Sequence, residues 1–392
     1  MPIIRNPFII NGYISPAYFC DRKAESEILI RQMTNGNNIA LISTRRMGKT
    51  GLIRHCFQSK EIQKAYYTFF IDIYATSSLK EFVFALGKGN FEKLKPQGTK
   101  SLREFVFALS KEIIESLKSS GKKAIQTFWE TMKSLQASLT FDFNGNPSFN
   151  LGLGDIQSPD ATLDEIFHYL EQANKPCIVA IDEFQQITNY AEDNVEAILR
   201  TYVQHCNNAH FIFMGNIFLT ASRPFYQSVS MMHLESIPLE EYIKFAQKHF
   251  KEANKTISKE AIEHIYKYFD GITWYMQKVL HTLYDMTPVN QVADISMVEE
   301  AICQIIGSFQ YTYSETLFRM PEKQKELLIA ITKEGKASAI TSGAFIKKYR
   351  LPSSSSVQSA LKGLLEKDFV TQEAGAYQIY DRFFGLWLQR NY

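Results

Sequence analysis

The chain has 392 residues, 45% of them hydrophobic and 21% charged, and a formal net charge of +2. That length suits roughly two to three domains with a sizeable core, and the composition excludes both a disordered chain and a membrane-embedded one. So even a charge balance names no polyanionic partner by itself. Cys20, Cys56, Cys177, Cys206 and Cys303 are far apart, with no C-x-x-C pair, which argues against a disulfide framework and against zinc. No basic leader precedes a long apolar run and no stretch of about 18 apolar residues occurs, so a cytoplasmic protein without a membrane partner is expected.

Residues 39–58, IALISTRRMGKTGLIRHCFQ, pass from an apolar segment through a polar turn into an amphipathic pattern, which reads as strand, loop, helix. Further apolar runs at 66–73, 177–181, 210–214 and 231–234 read as strands, with helical patterns between most of them. Such alternation predicts an α/β fold with a mainly parallel sheet covered by helices on both faces. Two features interrupt it. SLKEFVFALGK at 78–88 recurs as SLREFVFALSK at 101–111, a two-copy duplication too short for a repeat array. The segment 138–153 then reads as an inserted hairpin around an Asn-Gly turn. From 237 to 320 the pattern predicts only helices, an all-helical lid. From 321 to 392, three helical patterns and a two-stranded ribbon, FVTQEA at 369–374 and AYQIYDRF at 376–383 around Gly375, predict a winged helix. Residues 1–236 are left as the sheet-containing core.

Gly48-Lys49-Thr50 stands where a strand ends and a helix begins, the place where backbone N–H groups can cradle phosphate oxygens. The loop Ser43, Thr44, Arg45, Arg46, Met47 and Gly48, with Lys49, Thr50 and Gly51, would line the phosphates of ATP or ADP. Lys49 would neutralise the β and γ phosphates and the Thr50 hydroxyl would hold Mg2+. Ser43 occupies the first glycine's position in G-x-x-x-x-G-K-[ST], so it must follow the turn with backbone angles open to an L-residue. Arg45 and Arg46 either contact phosphate or pair with carboxylates elsewhere. Asp182 and Glu183 end the strand at 177–181, where two adjacent carboxylates cannot be buried unpaired. In the nucleotide reading Asp182 positions magnesium and Glu183 activates the attacking water. The rival reading of this pair is a solvated strand end.

These motifs, together with NPF at 6–8, FCDRKAE at 19–25, RRMGKT at 45–50, IDEFQ at 181–185, RPFYQS at 223–228 and GITWY at 271–275, make the chain resemble the P-loop ATPases described predominantly from archaea. That family is related to AAA+ and STAND ATPases and ends in a winged helix. The resemblance implies a nucleotide held between core and lid, with the box carrying Phe19 and Arg22 near the adenine. Asp21 replaces the box's usual glycine, and Thr273 stands where such lids often carry a proline. It further implies a polar sensor after the fourth strand. Either Asn216 fills that role or the segment carrying a sensor is missing. Arg223 either reaches a neighbour's γ-phosphate as an arginine finger, which requires a homo-oligomer, or is an ordinary surface arginine. Trp274 and Tyr275 either cover the adenine or belong to the core.

Residues 321–392 hold eleven Lys and Arg against seven Asp and Glu. Lys347, Lys348 and Arg350 precede a helix whose Ser354, Ser355, Gln358, Ser359 and Lys362 would face outward, toward DNA or toward a protein partner. The sequence therefore supports an ATP-hydrolysing switch or motor. Its rivals are a nucleotide-binding DNA-associated regulator with negligible turnover and a non-catalytic interaction scaffold.

Overall fold

The computed structural model describes residues 6–73, 159–189, 195–215, 228–373 and 375–392, the strands 139–141 and 147–149, and the single residues Ser110, Ile113 and Thr131. Apart from Ser110, the duplicated segments lie outside the described residues, as do Asn216 and Arg223. Two compact units emerge. One holds Asn11–Ile237 and Ile272–Trp274; the other holds the chain up to Ile10, Pro238–Gly271 and Tyr275–Tyr392.

In chain order the first unit's strands are β1 (Ile39–Ile42), β2 (Tyr67–Asp72), β3 (Leu139–Phe141), β4 (Pro147–Phe149), β5 (Cys177–Asp182), β6 (Ala209–Gly215) and β7 (Ser230–His233). Five form one sheet in the order β2-β5-β6-β1-β7, every pairing parallel, while β3 and β4 make a separate antiparallel pair. The unit's helices are α1 (Lys23–Thr34), α2 (Lys49–Phe57), α3 (Lys60–Ala65), α4 (Pro159–Gln172) and α5 (Val195–His205). Strand β5 is buried at every position, as expected of a parallel strand covered on both faces. Its alternating side chains supply two cores. Val179 and Ile181 pack with Leu163 and Phe167 of α4 and Leu199 of α5, whereas Ile178 and Ala180 pack with Leu29 of α1 and Leu52 and Ile53 of α2. The sheet's C-terminal edge therefore carries both the β1–α2 loop and the acidic end of β5.

The second unit begins with α6 (Leu239–Glu252), α7 (Lys259–Phe269), α8 (Thr273–Met286) and α9 (Ile295–Phe318); the first two residues of α8 group with the sheet unit. Ser258 and Asp294 cap α7 and α9, accepting from Ala261 N at 3.1 Å and Met297 N at 3.0 Å. The expectation of helices alone needs correction, because Thr256–Ile257 (β8) and Val292–Ala293 (β9) form a short parallel pair. The NPF residues anchor here. Asn6 Nδ2 donates to His281 O at 2.9 Å and Asp285 Oδ1 at 2.8 Å. Phe8, fully buried, lies among the rings of Phe245, His249, Phe250 and Tyr284.

The winged helix consists of α10 (Glu322–Glu334), α11 (Gly343–Tyr349), α12 (Ser354–Glu366), the antiparallel ribbon β10 (Val370–Glu373) and β11 (Ala376–Ile379), and α13 (Arg382–Asn391). The ribbon's second arm was expected to run to Phe383. Instead Asp381 turns the chain into α13, its Oδ1 accepting from Phe383 N at 3.0 Å and Phe384 N at 3.4 Å. Phe383, Phe384, Trp387 and Leu388 then recur at helical spacing and are all buried. Among the described residues no helix is long and apolar enough to cross a membrane.

Candidate active site

The β1–α2 loop is shaped by two left-handed residues, Arg46 (φ 69°) and Gly48 (φ 88°). Ser43 has no such strain, so a serine is tolerated at the first position of this loop. At Gly48 the backbone angle, more than space, excludes other residues: an added Cβ would lie 3.5 Å from Thr273 Cγ2, an ordinary contact, but at a φ that L-residues rarely adopt.

Several groups hold the loop from behind. Arg22 is 3% exposed; its Nη2 donates to Met47 O at 3.2 Å and its Nη1 to Glu25 Oε1 at 2.7 Å. Thr273 Oγ1 donates to the same Met47 carbonyl at 3.1 Å, and Trp274 N to Arg46 O at 3.1 Å. The Arg46 guanidinium sits 4.6 Å from the centre of the Trp274 ring, a cation–π contact. Asp21 adopts φ 46°, which accounts for the glycine usual at that point of the box. Tyr275, by contrast, belongs to the core of the second unit, stacked on Phe269.

Lys49 is buried, and its Nζ donates to Ser43 Oγ at 3.1 Å and to the carbonyls of Ser43 and Thr44, both at 3.3 Å. Burial pushes its pKa below the usual lysine value against the upward pull of Asp182 and Glu183. Across the loop, Thr50 Oγ1 donates to Asp182 Oδ2 at 2.7 Å. The other oxygen, Oδ1, accepts from Glu183 N at 3.0 Å. A hydroxyl and a buried carboxylate side by side are hard oxygen donors, and they fit a magnesium ion that keeps part of its water shell. Asp72 is in register with Asp182 on the neighbouring strand and brings a further carboxylate to this edge.

Glu183 also has a left-handed backbone, φ 56°, a costly conformation for a non-glycine residue and one that clusters at functional sites. Its Oε2 accepts from Gln185 Nε2 and lies 4.0 Å from Arg45 Nη2. Beside α2 the Phe19 ring stacks on His55 at 4.5 Å. Tyr13 meets Phe19 edge-on at 5.6 Å, and its hydroxyl lies 2.9 Å from His55 Nδ1. Burial lowers the His55 pKa. A Cβ at Gly51 would lie 3.6 Å from the Phe19 ring, an ordinary contact, which places that ring against the first turn of α2.

The loop residues 43–51, Asp182 and Glu183 thus converge, with Phe19 beside α2 and Arg22 behind the loop. Sequence reasoning missed the parts played by Tyr13, His55 and Gln185. Of these, only Gln185 carried a signal, its place two residues after the acidic pair.

Comparison with known proteins adds the following. The family described as an ATPase domain predominantly from Archaea matches residues 19–279, and one described as a probable winged helix domain matches residues 311–390. Among solved structures, a Walker-type ATPase of Pyrococcus abyssi aligns with TM-score 0.60 at 18% identity, covering 98% of this chain and 99% of that one. The ORC2 protein of Aeropyrum pernix, solved as ADPNP–ADP complexes, aligns with TM-score 0.53 at 13% identity over 99% and 98%. The ORC1 protein of the same organism, solved in complex with DNA, aligns with TM-score 0.50 at 10% identity over 99% and 96%. A search of curated proteins finds no match.

Proposed function

Because the chain belongs to the family of ATPase domains found predominantly in Archaea, followed here by a winged helix, we propose that it is a magnesium-dependent, ATP-hydrolysing switch of the AAA+ and STAND kind. Residues 1–236 would act as the nucleotide core, 237–320 as the lid and 321–392 as the output domain. The observation that carries this reading is the 2.7 Å contact between Thr50 and Asp182, next to a buried Lys49.

In this reading Lys49 gives up the Ser43 and Thr44 oxygens and takes phosphate oxygens instead, so its charge is balanced by the ligand. Thr50 and Asp182 would hold Mg2+, which neutralises phosphate charge when bound. Glu183 exchanges Gln185 for the attacking water and accepts its proton. Phe19 and His55 offer a flat stack for an adenine. Arg22 serves as a brace for Met47 rather than as a ligand. Asn216 as the polar sensor and Arg223 as a finger reaching into a homo-oligomeric neighbour belong to the same proposal and rest on the sequence alone. Coupling to the lid is supported by Thr273 and Trp274: α8 starts on the loop carbonyls of Met47 and Arg46, so a loop that moves with nucleotide state pulls on the start of that helix. A cytoplasmic location completes the reading, supported by five free thiols.

The test is phosphate release from ATP by wild type and Glu183→Gln, with Mg2+ and with EDTA. Release by wild type should depend on Mg2+ and fall by about 10²-fold or more in the variant while nucleotide still binds. Equal release by both proteins would defeat the catalytic role. A second reading, DNA contact by the winged helix, is favoured by the exposure of Ser354, Ser355, Gln358, Ser359 and Lys362 on α12, with Lys347 and Arg350 exposed before it. A titration with duplex DNA should then weaken steeply as salt rises. Failure to bind duplex at low salt would leave a protein partner for that face.

A further inference from the structure

A cleft of about 430 Å3 opens within the second unit, between α7 and the winged helix, and none of the phosphate-loop residues 43–51, Asp182 or Glu183 lines it. That volume suits a small organic molecule. One wall is the α7 face with His264, Lys267 and Tyr268, and the other is formed by Ile379, Arg382 and Leu386.

The charge around this cleft is unbalanced. Asp270 is shared between Arg382 at 3.2 Å and Lys336 at 3.5 Å. Glu299 is likewise shared between His264 at 2.8 Å and Arg390 at 3.6 Å. Lys267 pairs with no carboxylate among the described residues. Of these Lys and Arg cations only Lys267 and Arg382 line the cleft itself; Lys336 and Arg390 stand beside it as second partners of Asp270 and Glu299. Arg382 is also held in position: its side chain is only 18% exposed and its backbone N–H donates to Tyr275 Oη at 3.0 Å.

Tyr268, Ile379 and Leu386 give the lining its apolar surface, beside the polar Thr332 and Gln389. Ile379 is buried, and the Tyr268 ring, edge-on to His264 at 5.0 Å, is 38% exposed. An exposed ring beside an uncompensated ammonium and a fixed guanidinium offers one surface for an apolar body and two donors for an anionic head.

We propose that this cleft binds a small organic anion, a carboxylate or phosphate carried on an aromatic or aliphatic body, with Lys267 and Arg382 on the anionic group and Tyr268 and Ile379 against the body. Because α7 belongs to the helical segment and Arg382 to the winged helix, a ligand held by both ties the two segments together.

The test uses the full chain with saturating MgATP, titrated calorimetrically with 1-naphthyl phosphate, 1-naphthoate and uncharged 1-naphthol. At least one of the two anions should bind below about 1 mM, and which one binds identifies the head group. Naphthol should bind at least about tenfold more weakly. Lys267→Glu, a change at an exposed residue, should weaken the anion about tenfold or more with MgATP binding unchanged. Absence of binding by both anions, equal binding of naphthol, or indifference to Lys267→Glu would each overturn the proposal. The Lys267→Glu arm also separates this cleft from the phosphate loop, so it holds whether or not MgATP occupies that loop.

Discussion

The phosphate loop and the outer face of α12 carry many of the same residue types, and their surroundings differ. At the loop, Lys49 on it and Arg22 behind it are buried and each donates to backbone oxygens, so both charges are held at the site before any ligand arrives. On the winged helix, Lys347, Arg350 and Lys362 stand in solvent, and Lys348 is taken up by Glu334 at 2.6 Å. Preorganised charge of the first kind is what transition-state stabilisation requires. Mobile surface charge of the second kind steers and holds a partner at lower precision. The difference predicts that chemistry resides in the loop, whereas the winged-helix face supplies only association.

The comparison breaks most visibly in stability. Arg22→Ala removes a buried guanidinium that braces Met47 and pairs with Glu25, and should cost about 3 kcal/mol, read as a lower denaturant midpoint. Lys347→Ala should stay within about 0.5 kcal/mol of wild type while weakening duplex binding and flattening its salt dependence. If the two variants lose equal stability, the distinction between brace and surface charge fails. Gly48→Ala comes next. It forces an alanine to φ 88° and should cost about 1–2 kcal/mol, with weaker nucleotide binding; unchanged stability and affinity would show that the loop does not need this conformation.

The smallest effect concerns His55. Its folded pKa lies below the ordinary value of 6.5 because of burial. The unfolded chain therefore binds the proton more readily, and the stability this ring contributes is complete above pH 6.5 and lost as pH falls through the folded pKa. An NMR titration of its ring protons should give a midpoint below 6.5. A midpoint above that would contradict a ring kept neutral in the stack on Phe19.

The parts of the molecule that could be read from the residues alone are those written locally. The β1-loop-α2 unit and the acidic end of β5 follow from short-range pattern, and so do α7 and α9, whose capping residues Ser258 and Asp294 stand directly before them. What escaped is tertiary or very short. Tyr13 and His55 are 42 positions apart, and nothing in either local sequence says that they share Phe19. The two-residue strands β8 and β9 are below any periodicity. Helix α13 was hidden because YQIYDRF alternates like a strand until Asp381 caps a helix in the middle of it. The resemblance places Arg22 near the adenine, and its bond to a carbonyl 25 positions away is not written in its local sequence.

Calorimetric titration of MgATP into wild type and into Lys49→Ala tests the central claim most directly. Saturable binding by wild type, weakened by roughly 10²-fold or more in the variant, is the expected result. No binding heat from wild type, or equal affinity in both proteins, would contradict it.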